Sequence, residues 1–495
     1  MNQESVLMAT SDSYQYDAVI IGAGPGGSAT AALLAKEGLR VLLVDKHSTA
    51  GGKMLTVQRD GFYYEMFPIN AVPSRNSLFE KLIRDLELEN EVQVIYPNPV
   101  GRFYFELPGG EIRTMEIPYK NPSPLGFKRL LGLSWIGFLK FLRIFAKMVS
   151  MKPGQLDKLA GTSALDFINS HNLPQSLKSY LLSVYTEGYF EAPADRVSAA
   201  AMIRAVQQTT NFGGGRYYQG GMGSVFQGFA HAVERYGGTV LFNTRVEKIL
   251  TDQNRITGIQ AGSMQYNAPI VISNAGIQPT ILKLIGEDQF EPEYVAWVKN
   301  LEMNLANVGY RWFLSKPLLT SPMNVYITYN SVSTLADFEN MERGQFPDHS
   351  YVYLGTTSLY PGLAPEGKQI VYACMSCLGD PGVNIQPYLE QVKKIAVKMQ
   401  PDILEHIEKE EPFGPLVVSK MGRDSVLPGR GGEDYGVTLS VTQYGDERLN
   451  GKTPIEGLYY VGGDAGGFGL GTHQAVDSAV NVSRMVLDYH RRTGR

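Results

Sequence analysis

The apolar positions near the start of the chain fall into short runs separated by glycines and by an alanine-rich stretch. "DAVIIGAG" is an apolar, β-branched run that stops at Gly22, which is typical of a buried parallel strand. "SATAALLAKEG" then predicts a helix that closes at Gly38, and "RVLLVD" predicts a second strand that ends at Asp45. The pattern therefore predicts a strand–helix–strand unit.

The glycines between the first strand and the helix have the spacing of a dinucleotide-binding turn. Gly22, Gly24 and Gly27 fit G-x-G-x-x-G, in which the glycines permit a tight turn, close approach of backbone to a pyrophosphate, and close packing of helix on strand. The amino end of the helix would direct N–H groups at the phosphates. Asp45 follows at the offset of the carboxylate that binds a ribose diol. We therefore predict a dinucleotide site.

Four further stretches favour FAD over NAD through a resemblance to a known family. Gly51-Gly52-Lys53 is similar to the double-glycine element of FAD proteins related to glutathione reductase and the amine oxidases. "QGGMGSVFQGFAHAVERYGGTVLFNTRVEKIL", "APIVISNAG" and "GLYYVGGDAGGFGLGTHQAVDSAVNVS" resemble segments of the phytoene desaturase, carotenoid isomerase and retinol saturase group. The resemblance implies an α/β fold, with a Rossmann-type, glutathione reductase-like FAD-binding domain and an inserted α+β substrate domain.

The resemblance also implies cofactor contacts along the chain. The backbone of Val246 would contact adenine. Asp464, at the end of a predicted strand, is placed to bond the ribityl chain or the pyrophosphate region, and Thr472 is placed to cap the helix that faces the flavin. The expected cofactor contacts are Gly22, Gly24, Pro25, Gly26, Gly27, Asp45, Lys46, Gly51, Gly52, Lys53, Gly221, Met222, Val246, Asn274, Gly463, Asp464, Gly471, Thr472 and His473.

Three positions depart from the family pattern. Lys53 stands where arginine is usual, which keeps the charge but loses bidentate geometry. Asp45 replaces the more common glutamate. The usual glycine- and proline-rich flavin loop reads "GGFGLGTHQA" here, a departure from the carotenoid desaturases in particular rather than from flavin binding.

If the FAD segments come together, the domains are discontinuous. The FAD-binding domain is predicted over 14–75, 215–285 and 425–492, and the substrate domain over 76–214 and 286–424. The second insert mixes the apolar runs "LANVGYRWFLSKPLL", "YVYLGTTSLY" and "QIVYACMSCL" with the helical pattern "EQVKKIAVKMQPDILEHIEKEE". This mixture predicts a sheet with helices packed against it.

The segment 124–151 predicts a basic amphipathic helix. Its basic residues share one helical face and its apolar residues lie on or near the other: Lys140, Arg143 and Lys147 against Phe138, Leu142, Phe145 and Val149. Its longest uncharged run is far shorter than the roughly 20 residues that span a bilayer. Two interpretations stay open: a helix that lies on a membrane surface, and a lid over the substrate cavity.

Composition changes this picture in two ways. A net charge of -4 argues against nucleic acid as the main partner. The start, "MNQESVLMATSDSY", lacks the features of a signal peptide, and only Cys374 and Cys377 occur, so we expect a cytoplasmic protein, peripheral at a membrane if 124–151 binds lipid. A CxxC pair is redox-active or binds metal in some proteins, but on a strand these two thiols face opposite sides, so we predict core residues and no metal site.

Candidate acid–base residues are few. His473 is the only histidine in a flavin-proximal motif, and a helix amino terminus should lower its pKa; the alternative is a structural hydrogen bond. Tyr185 and Tyr218 lie in "SVYTEGYFEAP" and "GGRYYQGG", which resemble cavity-lining stretches of the family, and either donate protons or pack. No Ser-His-Asp order, HExxH or P-loop supports hydrolysis or phosphoryl transfer.

These patterns lead to one main hypothesis and two alternatives. The main hypothesis is an FAD-dependent oxidoreductase that desaturates, saturates or isomerises carbon–carbon bonds of an apolar, isoprenoid or alicyclic substrate, with oxygen, a quinone or reduced nicotinamide as electron partner. A flavin amine oxidase is close in fold, but the cysteine for covalent flavin attachment is missing. A carrier of prenylated proteins, of the GDP-dissociation-inhibitor type, is the non-enzymatic alternative.

Overall fold

The computed structural model describes residues 15–67, 78–120, 122–212, 215–331, 333–347, 351–445, 448–469 and 471–493. The strands are β1 (Ala18–Ile21), β2 (Val41–Val44), β3 (Thr56–Arg59), β4 (Phe62–Glu65), β5 (Val94–Ile95), β6 (Gly101–Glu106), β7 (Ile112–Ile117), β8 (Tyr217–Tyr218), β9 (Thr239–Leu241), β10 (Lys248–Asp252), β11 (Arg255–Ala261), β12 (Met264–Asn267), β13 (Val271–Ser273), β14 (Ala306–Leu314), β15 (Met323–Thr328), β16 (Tyr351–Gly355), β17 (Gln369–Cys377), β18 (Ile407–Phe413) and β19 (Leu458–Tyr460).

The helices are α1 (Pro25–Lys36), α2 (Leu78–Asp85), α3 (Pro124–Leu130), α4 (Trp135–Ser150), α5 (Pro153–Asp157), α6 (Ala164–Asn169), α7 (Gln175–Leu182), α8 (Ala199–Phe212), α9 (Gly223–Arg235), α10 (Ile277–Pro279), α11 (Pro292–Lys299), α12 (Leu335–Glu342), α13 (Gln386–Met399), α14 (Pro415–Met421) and α15 (Thr472–Thr493). Helices α7 and α10 continue as π-helical turns, Ser183–Gly188 and Thr280–Gly286, and short 3-10 turns occur at Gly52–Met54, Glu287–Gln289 and Ile403–His406.

A five-stranded parallel sheet contains the predicted strand–helix–strand unit. Its strand order is β19-β13-β1-β2-β9, with every neighbouring pair parallel. All residues of β1 and β2 are buried, because both faces of this sheet are covered, and this is why these strands are apolar throughout. Helices cover one face, and a three-stranded antiparallel sheet, β10-β11-β12, packs on the other. Helix α1 packs between α9 and α15. The predicted unit and the α/β fold class are confirmed.

The second large sheet is mixed and has seven strands. Its order is β18-β14-β17-β16-β15-β6-β7, and only the β15–β6 pair is parallel. Strands from both predicted inserts meet in it, as the apolar runs of the second insert suggested. The domain limits themselves stay a prediction; the limits at 14, 75–76 and 214 lie outside the described residues.

The central strand β17 contains both cysteines, and all nine of its residues are buried. Cys374 packs in the core that contains Phe105 and Tyr180, whereas Cys377 packs in the core that contains Trp312. The thiols therefore face opposite sides of the strand, and the prediction that they are core residues is confirmed.

One predicted helix was too long. The pattern "EQVKKIAVKMQPDILEHIEKEE" forms α13 only as far as Met399, and its charged end becomes part of the edge strand β18. Pro401 is the physical reason, because proline has no N–H for the helix ladder and disfavours helical backbone in the residue before it.

The basic segment forms two helices rather than one, and the predicted apolar face is partly wrong. Ser134 caps α4 by accepting the N–H of Gly137 (3.1 Å). The buried positions of α4 are Phe138, Phe141, Ile144 and Met148. Leu142 is instead 39% exposed. The buried positions follow an i, i+3, i+4 spacing, so the contact face is rotated away from the predicted one.

Helix α4 packs against the outer side of α8. The Gln207 side chain on α8 donates through Nε2 to the carbonyl oxygens of Met148 and Met151 (both 2.9 Å). On the solvent side, Trp135, Ile136 and Leu139 are 66%, 72% and 65% exposed. None of the helices in the described part of the chain is long and apolar enough to cross a membrane.

Candidate functional site

A long cavity, called the first cavity below, runs along the carboxyl ends of the parallel strands. Ile21, Val44, Asn274 and Gly462, each at or just after a strand end, line it. Thirteen of the predicted cofactor contacts also line it: Gly22, Gly24, Pro25, Gly26, Asp45, Lys46, Gly52, Lys53, Val246, Asn274, Gly463, Gly471 and Thr472. Topology thus gathers residues from three distant parts of the chain into one wall.

The glycines of this wall leave no room for a side chain. A Cβ on Gly24 would lie 2.7 Å from Nδ2 of Asn274, and one on Gly26 would lie 2.8 Å from the Cα of Gly462. A Cβ on Gly27 would lie 1.9 Å from the carbonyl oxygen of Gly22, so Gly27 does not line the cavity but lets α1 pack on β1. Helix α1 has no side-chain cap, which leaves its amino end available to a phosphate.

Asp45 is fixed at the far end of the first cavity by two backbone contacts. Its Oδ2 accepts the N–H of Ala23 (2.6 Å) and its Oδ1 accepts the N–H of His47 (2.7 Å). The carboxylate therefore joins the glycine turn to the segment after β2. Val246 lies in the same wall, as expected for an adenosine-binding end.

Three cations surround Asp424 near this end. Lys46 (3.2 Å), Arg245 (3.0 Å) and Lys283 (2.9 Å) each pair with its carboxylate. Burial by itself would raise the pKa of Asp424, but the hydrogen bond from Lys283 and the neighbouring positive charges lower it to about 2. Three cations for one carboxylate leave this part of the wall positive, which suits a phosphate-bearing ligand.

Two buried carboxyl groups, Glu191 and Asp434, face each other in the wall at the opposite end of the first cavity. Nδ2 of Asn307 donates to Oε1 of Glu191 and to Oδ2 of Asp434, both at 2.7 Å. Burial raises the pKa of Asp434 to about 6, and burial together with the Asp434 charge raises the pKa of Glu191 well above its ordinary value. We call these two residues the carboxyl pair; they are placed to share one proton.

The backbone of Glu191 is itself unusual. Its φ of 46° lies in the left-handed region, which non-glycine residues seldom adopt. The conformation is held from outside, since the Leu305 N–H donates to the Glu191 carbonyl oxygen (2.6 Å) and Asn304 donates to that of Phe190. Strained backbone that neighbours enforce in this way is concentrated at functional sites.

Lys53 and Arg423 supply positive charge close to the carboxyl pair. Lys53 donates through Nζ to the carbonyl oxygens of Glu433 (2.7 Å) and Asp434 (2.6 Å). Burial and the Arg423 charge lower the pKa of Lys53 to about 8. Nη2 of Arg423 is buried and has no hydrogen-bond partner among the described residues. An uncapped helix, a glycine cradle and this orphaned donor fit a bound dinucleotide with phosphate and carbonyl groups.

Asp464 does not line the first cavity, so its expected contact with the cofactor stays a prediction that the lining does not support. Its carboxylate pairs with Nη1 of Arg423 (2.9 Å) and accepts the N–H groups of Ile277 (2.8 Å) and Val437 (3.0 Å). These contacts saturate the carboxylate. The role of Asp464 is to hold Arg423, which does line the cavity.

Gly51, Gly221 and Met222 also lie outside the lining of the first cavity. The N–H of Met222 donates to Oε1 of the buried Glu65 (2.8 Å), and a Cβ on Gly221 would meet Thr56 at 2.4 Å. This turn is therefore a packing junction with the β3–β4 hairpin. Gly51 has a positive φ of 132° and shapes the turn that presents Gly52 and Lys53.

A second cavity adjoins the first. Its lining includes Phe190, Leu439, Phe468 and His473. Phe190 precedes Glu191 in the chain, and His473 follows Thr472, so consecutive residues face different cavities. The two cavities therefore share a wall built from these two short segments.

His473 thus lines the second cavity rather than the first, so its expected cofactor contact stays a prediction that the lining does not support. Nδ1 of its ring is hydrogen-bonded to the carbonyl oxygen of Phe468 (3.1 Å), the structural bond that was one of the two expectations. Its pKa is lowered, as predicted, but burial rather than the helix terminus is the cause. Helix α15 begins at Thr472, so Thr472 is the first helical residue and not a cap before His473.

The structure does not bring the two tyrosines to either cavity. Tyr185 is buried in the π-helical turn, bonds Thr209 (3.3 Å) and stacks on Tyr189, and burial raises its pKa. Tyr218 is buried in β8, and burial raises its pKa too. Both pack against neighbouring side chains here, and their expected proton-donor role stays a prediction.

Comparison with known proteins shows the family to which this chain belongs. The model of the family described as flavin containing amine oxidoreductase matches residues 25–487. The chain belongs to this family. It is 23% identical over 438 residues to a phytoene desaturase (neurosporene-forming) from Cereibacter sphaeroides, covering 80% of this chain and 81% of that protein. It is 24% identical over 438 residues to prolycopene isomerase 2, chloroplastic, from an Oncidium hybrid cultivar, covering 80% and 70%.

Among solved structures, an oxidoreductase from Methanosarcina mazei has the same fold, with a TM-score of 0.70 at 18% identity over 94% of this chain and 99% of that one. The resemblance inferred from the sequence motifs is confirmed. As a member of the family, the chain is a flavin oxidoreductase related to carotenoid desaturases and isomerases.

Sequence reasoning missed several members of the site. Glu191 and Asp434 were not singled out, because other charged residues surround each of them: Glu187 and Asp195 flank Glu191, and Glu433 directly precedes Asp434. Arg423 gave no signal of its own, because it follows a short helix and its partner Asp464 lies elsewhere in the chain. No local pattern therefore marks these residues as buried and functional.

Proposed function

We propose that this protein is an FAD-dependent oxidoreductase that desaturates, saturates or isomerises a carbon–carbon bond of an apolar substrate. One observation carries the proposal: the apolar second cavity and the first cavity meet where Phe190 faces one and Glu191 the other. A substrate in the second cavity would present a bond to the flavin end of the first cavity, beside the carboxyl pair.

The residues of the first cavity fit FAD along its whole length. Asp45 and Val246 would hold the adenosine end, and the uncapped start of α1 with Gly24 and Gly26 would hold the pyrophosphate. The amino end of α15 would face the ring end, where reduction places negative charge. Bound FAD supplies hydride transfer, so the chain itself has to orient the substrate, exclude water and move a proton.

The carboxyl pair is the group best placed to move that proton. Oε2 of Glu191 is buried and has no hydrogen-bond donor among the described residues, so it stays available to a substrate carbon or to the proton of Asp434. The raised pKa of Glu191 favours its protonated form near neutral pH, in which it donates, while Asp434 beside it can take the charge. Asn307 orients both groups through one amide.

The second cavity suits an apolar molecule and disfavours an amine. Phe190, Ala201, Ala205 and Leu439 form its apolar part, and its one charged lining residue among those described is Arg204. The polar side chains in the lining are Gln207, Gln208, Tyr444 and His473. A positive side chain would repel an ammonium substrate. This is our reason to prefer carbon–carbon chemistry to amine oxidation for this chain, and it supports an apolar substrate of the kind named for the relatives.

We also propose that α4 touches a membrane surface, from which a lipophilic substrate would enter. The exposed apolar side chains of Trp135, Ile136 and Leu139 are called the α4 patch below. Arg143 and Lys147 lie exposed on the same helix, which is the combination that binds an anionic lipid surface.

The first test is an absorption spectrum of the purified protein, taken before and after incubation with FAD. We expect flavin bands that bleach on anaerobic reduction. Anaerobic mixing of the flavin-loaded protein with an apolar polyene and, separately, with benzylamine then tests oxidation, because only a substrate that the protein oxidises will bleach the flavin. Mixing the anaerobically reduced protein with the same polyene tests the other two reactions: saturation restores the flavin bands, whereas isomerisation leaves the flavin reduced and changes the absorption of the polyene. Bleaching by the amine alone would replace our proposal by amine oxidation. A protein that stays colourless would favour the carrier.

A further inference from the structure

The second cavity contains positive charge that nothing in the described chain neutralises. Arg204 on α8 lines the cavity, and Arg448 lies behind Phe468 with its guanidinium 3.4 Å from the ring centroid; that of Arg204 lies 4.6 Å from the same ring. Within the described residues, no carboxylate lies within 4.0 Å of either guanidinium. Tyr444 lies beside both guanidiniums and is hydrogen-bonded to that of Arg204. The carboxylate that acts on the Arg448 charge is Asp477, whose Oδ2 already accepts the N–H of Phe468 (2.7 Å).

Several donors around this charge are buried and lack partners. Nε of Arg204, Nε and Nη2 of Arg448, and Nε2 of Gln208 have no hydrogen-bond acceptor in the described part of the chain. Gln208 lies four positions after Arg204, so the two side chains share one face of α8, and both line the cavity. Burying such donors without acceptors is costly, and native proteins seldom do so unless a ligand completes the bonds.

We propose that this is a binding site for the carboxylate head of an otherwise apolar substrate, with Arg204 and Gln208 as its donors. The planar guanidinium matches a carboxylate in geometry, and the amide of Gln208 adds a further donor. Arg448 adds positive potential from behind Phe468. The apolar body would then lie along Phe190 toward the shared wall. The inference rests on the proposed function, and it narrows the substrate from a hydrocarbon to an apolar carboxylic acid.

The test compares retinoic acid with retinol, which share one polyene and differ in the head group. Binding to the purified protein is measured by titration calorimetry, both with and without FAD, so that the result does not depend on turnover. We expect the acid to bind at least about tenfold more tightly than the alcohol, since hydrogen bonds to a charged group contribute about 1.5–3 kcal/mol. Equal affinities would overturn the proposal, even if flavin chemistry is later demonstrated.

Three variants localise the effect. Arg204→Gln should weaken binding of the acid about tenfold and leave the alcohol unchanged, and Arg204→Lys should recover part of the loss because it keeps the charge. Arg484→Gln is the matched control, since Arg484 is an exposed arginine on α15 that lines neither cavity. An equal loss for acid and alcohol in Arg204→Gln would mean that Arg204 only packs, and would also overturn the proposal. Circular dichroism checks that each variant is folded.

Discussion

The two cavities differ in what their walls are made of. The first is bordered by eight glycines, by strand ends and by the start of two helices, and nine charged side chains also line it. The second is bordered by side chains from α8 and from the loop before α15. Backbone walls tolerate almost no substitution but bind a ligand common to the whole family, whereas side-chain walls can change freely and so determine what each member acts on.

The largest effect is expected from adding one methyl group directly behind the glycine wall of the first cavity, at Gly27, which lets α1 pack on β1. Gly27→Ala places a Cβ 1.9 Å from the carbonyl oxygen of Gly22, so α1 and β1 must move apart. We expect flavin content to fall at least about tenfold, since the turn that cradles the phosphates is distorted. Flavin content is measured by absorbance after gel filtration. Gly161→Ala is the control, because a Cβ there meets nothing within 4 Å; equal flavin content in both variants would contradict the assignment of this wall.

The next effect concerns the carboxyl pair and is measured on the apoprotein. The folded-state pKa of Asp434, about 6, is above its ordinary 3.8, so the native state binds the extra proton and loses stability as pH rises from about 4 through 6. Between pH 4.5 and pH 7.5, Asp434→Asn should remove about 2 kcal/mol of that fall, because the unfolded carboxyl is already mostly ionised at pH 4.5 and one pKa unit corresponds to about 1.36 kcal/mol. The measurement is urea unfolding at pH 4.5 and pH 7.5.

Asp424→Asn serves as the control, because the pKa of Asp424 is shifted in the opposite direction from that of Asp434. The pKa of Asp424 is lowered to about 2, so its contribution is fully present at neutral pH and is lost only as pH falls below 4. This variant should therefore be destabilised equally at pH 4.5 and pH 7.5. If the two variants show the same pH dependence, the carboxyl pair does not hold a shared proton.

A somewhat smaller effect on the rate of flavin reduction distinguishes the two candidate proton donors, Glu191 and His473, which line different cavities. Glu191→Gln should slow flavin reduction by the substrate about 10²-fold, the usual contribution of a general acid or base. His473→Asn should slow it less than about tenfold, because the ring of His473 bonds the Phe468 carbonyl and faces the second cavity. Stopped-flow reduction across pH 5–9 gives both rates. A larger loss at His473 than at Glu191 would reverse the assignment.

The smallest effect is expected outside both cavities. The double variant Ile136→Gln, Leu139→Gln changes two side chains of the α4 patch that are more than 60% exposed, so the free energy of unfolding should change by no more than about 0.5 kcal/mol. Sedimentation with vesicles containing phosphatidylglycerol should nevertheless show weaker binding. Unchanged binding would remove the membrane contact and leave α4 as a cover for α8.

The same contrast between the two cavities explains which residues of the site could be predicted from the sequence. The glycine turn and Asp45 could be predicted because their spacing within one strand–helix–strand unit encodes the geometry locally. Glu191, Asp434 and Arg204 could not, since only the folded topology brings them near one another and near the cofactor cavity. His473 was placed next to the flavin by its neighbours in sequence, but one residue of helical rotation beyond Thr472 turns its side chain into the other cavity.

The positions of the two cysteines on β17 affect how well the protein resists oxidation of its thiols. A flavin that air reoxidises releases hydrogen peroxide, which attacks thiolates first. Burial raises the pKa of both Cys374 and Cys377 well above the ordinary value, and opposite faces of one strand keep them from ever closing a disulfide. With oxygen as the electron acceptor, the protein should thus keep both thiols reduced through many turnovers.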